Sequence, residues 1–145
     1  MGNKLIGSVG LSIAGGTPSP YTRTTSFIIA CSDETTAIDS TGTKSTFYMP
    51  YGYTIESVRA SLTTTSSSGT PTIDISEDGT SIMTTTKITI DAGDLLSTES
   101  ATQPVLTDSV LADKSKITID VDVTGTDATG LKVYIIGYKT LWVIL

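Results

Sequence analysis

Between residues 116 and 138 apolar and polar side chains take strict turns. Ile117, Ile119, Val121 and Val123 share one parity, and Thr118, Asp120, Asp122 and Thr124 share the other. Successive side chains of an extended strand point to opposite faces, so a two-residue period describes a strand with one buried and one wet face. A polar linker bounded by Gly125 and Gly130 follows, after which Leu131, Val133 and Ile135 alternate with Lys132, Tyr134 and Ile136. The second run is expected to fold back antiparallel on the first as a hairpin.

The same rhythm recurs upstream. Val58, Ala60 and Leu62 alternate with Ser57, Arg59 and Ser61, and Ile73 and Ile75 flank Asp74. Glu77-Asp78-Gly79 supplies turn chemistry, and residues 82–90 return with Ile88 and Ile90 on one face, which predicts a second hairpin. Phe27-Ile28-Ile29-Ala30-Cys31 is an unbroken apolar run of the kind a strand buried on both faces shows. Residues 32–44 and 63–71 read as loops, and residues 91–108 as an irregular stretch with room for a short helical turn or an edge cover. Ser and Thr make up roughly a third of the chain with Thr dominant, the usage expected where wet strand positions take a β-branched polar residue. The fold class is therefore all-β: an antiparallel β-sandwich, jelly-roll-like, of about eight strands. Its predicted core holds Val58, Ala60, Leu62, Ile73, Ile88, Ile90, Ile117, Ile119, Val121, Leu131 and Val133.

The organisation expected is an N-terminal arm over residues 1–20, a sandwich domain over 21–140 and an apolar tail over 141–145. In the arm, Val9, Leu11 and Ile13 alternate with serine and glycine, and Thr17-Pro18-Ser19-Pro20 separates it from the body because proline donates nothing to a ladder. Glycines 7, 10, 15 and 16 interrupt any signal-peptide core, the residues before Ile29-Ala30-Cys31 are too polar for a lipoprotein box, and no apolar run reaches membrane-helix length. The tail, Leu141-Trp142-Val143-Ile144-Leu145, is too apolar to leave in water, since each buried side chain is worth roughly 1.5–3 kcal/mol. It docks on its own domain or on a neighbouring subunit, and the natural strand end at Tyr138-Lys139-Thr140 favours the neighbour.

Chemistry is scarce in the sequence. There is no histidine, which removes Ser-His-Asp and Cys-His nucleophile systems and the commonest metal ligand, and the single Cys31 excludes an intrachain disulfide. Cys31 reads as a small buried hydrophobe, with no basic cluster to activate it. The net charge of −6 has the wrong sign for neutralising phosphates, which argues against nucleic acid as a partner. Asp120 and Asp122, about 6.6 Å apart along one strand face, could serve as a calcium site or a glycosidase pair; the Thr-Asp-Asp-Thr face is the simpler pattern of a solvated surface. No enzyme activity, cofactor, metal or membrane association is expected. The densest aromatic cluster, Phe47, Tyr48, Tyr51 and Tyr53 around Met49-Pro50, is expected to cap the sandwich core at a strand end, with a sugar- or protein-binding rim through Tyr48, Tyr51 and Tyr53 as the alternative.

From Phe47 onward the chain resembles a group of small virion proteins of tailed bacteriophages. The resemblance rests on Met49-Pro50-Tyr51, Val58-Arg59-Ala60-Ser61-Leu62, Ile73-Asp74-Ile75, Gly79-Thr80-Ser81-Ile82, Ile88-Thr89-Ile90-Asp91-Ala92-Gly93, Leu111-Ala112-Asp113, Ile117-Thr118-Ile119-Asp120-Val121-Asp122 and Gly130-Leu131-Lys132-Val133, in that order. The arm and the tail fall outside it. It implies a jelly-roll-like sandwich on the outer surface of the capsid, serving as a decoration (cement) protein. Its expected partners are itself, as a homotrimer, and the major capsid protein, through Val9, Leu11, Ile13 and the Leu141, Trp142, Val143, Ile144 and Leu145 tail. The alternative role is a tail-fibre, spike or head-fibre module that binds host surface glycans.

Overall fold

A computed structural model of the chain describes residues 23–140. Nine strands form two antiparallel sheets packed face to face: β1 (Thr25–Ala30), β2 (Gly42–Tyr48), β3 (Tyr53–Ser61), β4 (Thr72–Glu77), β5 (Thr80–Ser81), β6 (Ile88–Thr89), β7 (Val110–Leu111), β8 (Lys116–Val123) and β9 (Lys132–Lys139). One sheet runs β1-β9-β3-β7; the other runs β2-β8-β4-β5, with β6 also on β4. Each early strand pairs with its counterpart counted from the far end, β1 with β9, β2 with β8 and β3 with β7, closing on the β4–β5 hairpin. This nested pairing, wrapped into two packed sheets, makes the sandwich jelly-roll-like.

The terminal hairpin expected of residues 116–138 does not form. β8 lies inside one sheet between β2 and β4, and β9 lies inside the other between β1 and β3. Alternation records which face of a strand is buried and is silent on its lateral neighbour. Here Ile117, Ile119 and Val121 on one sheet and Val133 and Ile135 on the other share one core, all at most 1% exposed, and the linker crosses the roughly 10 Å between the sheets. The hairpin at Asp78-Gly79 is present, with φ of 49° and 88° at its two central residues. Such positive pairs belong to the tight turn that asparagine or aspartate followed by glycine favours. Its return is broken into β5 and β6 around residues 82–87, which raises the count from about eight to nine.

All eleven predicted core residues are buried. Tyr53 and Ile55 join them by a device that spacing conceals. A bulge between Ile55 and Ser57 inserts Glu56, so the inward parity changes from 53 and 55 to 58 and 60 within one strand. The run Phe27-Ile28-Ile29-Ala30-Cys31 is corrected too: β1 is an edge strand, with Phe27 and Ile29 inward and Ile28 61% exposed on the outer face. The short helical turn expected within residues 91–108 is a 3-10 turn at Ser97–Glu99.

Candidate association surface

The described chain begins and ends at one corner of the sandwich. Thr25 pairs with Gly137 and Ala30 with Lys132, so Arg23 and Thr140 lie at the same end of adjacent strands. This corner is clamped by polar side chains. Tyr53 donates through its hydroxyl to the Thr25 carbonyl at 2.9 Å, Thr24 donates to the Glu56 carboxylate at 3.2 Å, and the Thr140 N–H donates to the Gly52 carbonyl at 2.8 Å. Thr54 and Thr140 hydroxyls meet at 3.1 Å. The first and last described residues therefore lie side by side.

Beneath the corner sits an aromatic cap. Phe27 and Tyr53 meet edge to face with ring centroids 4.9 Å apart, Tyr51 leans on both at 6.2 and 6.5 Å, and the Lys139 ammonium lies 5.0 Å from the Tyr51 ring. Desolvation pushes the Tyr53 phenol above its ordinary pKa. The capping reading of the aromatic cluster thus describes Tyr51 and Tyr53. Tyr48 is elsewhere, 64% exposed on β2, the edge strand of the other sheet. With Tyr53 fully buried, the three tyrosines do not make one sugar-binding rim. Val9, Leu11 and Ile13, and Leu141, Trp142, Val143, Ile144 and Leu145, lie outside the described residues.

Around the corner the outer face of the β1-β9-β3-β7 sheet is more apolar than a wet face needs to be. Ile28, Tyr134 and Arg59 form one rung and Ser26, Ile136 and Ser57 the next. Leu96, 44% exposed, borders a cavity of about 130 Å³ with Arg59, Thr98, Tyr134 and Ile136. A more open groove of about 370 Å³ adjoins it between Val58, Arg59, Gln103, Pro104 and Leu106. Periodicity did not point to Ile28 or Leu96, because one sits in an unbroken apolar run and the other in an irregular segment.

Asp74 and Asp122 share Lys87, at 3.0 and 2.6 Å, while Ser81 donates to Asp74 at 2.6 Å and Thr43 donates to Asp120 at 2.5 Å. Each of these carboxylates thus has a local partner, Asp74 on a buried strand position and Asp122 on an exposed one. Among the described residues no three acids or cysteines converge on a metal-sized site. Cys31 is buried, and desolvation pushes its thiol up to about 11. Compared with family models, with curated proteins and with solved structures, the chain matches none.

Proposed function

We propose that this chain is a non-enzymatic capsid decoration protein, held on the outer surface of a phage head by contacts with other copies of itself and with the major capsid protein. The observation that carries the reading is the meeting of Arg23 and Thr140, the first and last described residues, at one corner of a jelly-roll-like sandwich, next to a partly apolar outer sheet face. Jelly rolls recur in viral shells and lectins. The arm bearing Val9, Leu11 and Ile13 and the tail from Leu141 to Leu145 flank the described residues in the sequence, and in this reading both apolar segments serve contacts with neighbours. A homotrimer would bring three such corners together, and binding energy gained only in the assembled shell stabilises that shell by mass action. The virion resemblance supports the same reading from sequence.

Deletion tests it. Removing residues 1–16, and in a separate variant residues 141–145, should each abolish incorporation into particles while leaving the sandwich folded. Normal occupancy by both variants rules the attachment scheme out.

A further inference from the structure

A β-sheet edge presents unpaired N–H and C=O groups, and natural sheets blunt such edges with short strands, charges, prolines or bulges. Among the described residues, three of the four strands that end the sheet orders are blunted. β5 and β7 are two residues long, and β2 carries Lys44 at a bulge between Thr43 and Ser45. β1 is the exception: six residues, Thr-Ser-Phe-Ile-Ile-Ala, without charge, proline or bulge, in unbroken register with β9. The Cys31 N–H donates to the Leu131 carbonyl, so by antiparallel alternation residues 25, 27 and 29 turn their backbone groups to β9. The N–H and C=O groups of Ser26, Ile28 and Ala30 face the open edge, where no strand of the described residues pairs with them. On that same strand Ile28 is 61% exposed.

The sequence also holds a strand pattern in want of a sheet, at residues 8–13, where Val9, Leu11 and Ile13 share one parity. We infer that this segment of one copy adds as a strand to the β1 edge of a neighbouring copy, pairing with Ser26, Ile28 and Ala30 and covering Ile28. Exchange between copies is favoured over pairing within a copy by the connection. Residues 14–24 are eleven residues with Pro18 and Pro20 among them, whereas hairpin loops are about two to five residues long and proline-rich linkers run extended. Main-chain hydrogen bonds give such strand addition its affinity, and the alternate side chains give it register. The inference rests on the reading of this chain as an assembly protein and names the surface that receives the arm.

Two variants test it without any capsid present. Ile28→Pro removes an outward N–H and so blocks the edge while sparing the β9 ladder; deleting residues 1–16 removes the donor. Each should be folded and should leave its own β1 edge without an added strand, and mixing the two should restore pairing between one copy of each, because the first still supplies an arm and the second an open edge. In the self-associated full chain the amides of Ser26, Ile28 and Ala30 should exchange about tenfold or more slowly than in the deletion variant, a readout that stands even if Ile28→Pro fails to fold. Self-association that survives the deletion with the amides of Ser26, Ile28 and Ala30 still protected points to β1 pairing with β1. Edge protection in a monomer points to pairing within one copy. Either result, or edge amides that exchange freely in the full-chain oligomer, overturns the inference. Particle incorporation is read separately, so a chain that decorates shells with an open edge refutes this pairing alone, and one that exchanges arms but never binds shells refutes the proposed function alone.

Discussion

Gly137 on β9 runs so close to Thr54 on β3 that a β-carbon built on it would overlap the Thr54 carbonyl oxygen and lie 2.9 Å from the Ile55 Cα. The contact falls beside the Glu56 bulge in β3. Nothing but backbone would have to yield, so Gly137→Ala is expected to destabilise by about 2–3 kcal/mol, a fall in melting midpoint on the order of 10 °C. Thermal unfolding followed by circular dichroism checks it; an unchanged midpoint would mean that β9 and β3 are further apart than described.

Asp33 accepts the backbone N–H groups of Thr35 and Thr36 at 2.7 and 2.8 Å and the Thr35 hydroxyl at 2.9 Å. The Thr35 backbone bond is the largest of the influences that hold its carboxyl down at about 2. A carboxylate depressed on folding contributes stability above its ordinary pKa near 3.8 and loses it as pH falls toward 2. The loop after β1 should therefore loosen across that window. A carboxyl titration by NMR showing Asp33 at an ordinary midpoint would remove the turn from the account.

Burial of Cys31 predicts an inert thiol. In the folded chain at pH 8 it should not react with a thiol reagent over minutes, and it should react fully in denaturant. Prompt labelling of the native chain would place Cys31 outside the core.

Lys87 holds Asp74, which is 7% exposed, together with Asp122. Lys87→Ala leaves the Asp74 carboxylate with Ser81 as its remaining described partner and is expected to cost about 1–2 kcal/mol. Asp74→Asn on that background should recover part of the loss. The Lys87 pKa is raised chiefly by its hydrogen bonds to Asp122 and Asp74. Its contribution is accordingly complete below the ordinary lysine value of 10.5 and declines as pH rises from there through the raised folded-state value. Urea titration at pH 7 and 11 reads both effects.

Two-residue alternation carried the sandwich, because one buried face per strand is what two packed sheets require, and it carried the core for the same reason. Lateral neighbours were not legible: Ile119 on β8 and Ile135 on β9 alternate alike whether their strands pair or stack. Nor was the edge. An apolar run such as Phe27-Ile28-Ile29 looks the same whether a second layer of its own fold covers Ile28 or another molecule does. The bulge at Glu56 hid Tyr53 by changing parity in mid-strand, which left the aromatic cluster with two readings until the buried ring was placed. Gly137 carries no signal at all, since its reason is a neighbour more than eighty positions away.

The central claim is that this sandwich works as one repeated part of a shell. Counting its copies against the major capsid protein in purified particles, by quantitative mass spectrometry, tests that most directly. The account predicts a fixed ratio to the shell subunit, amounting to hundreds of copies per particle as a surface-wide lattice requires; a handful of copies per particle would contradict it and point to a tail or fibre position instead.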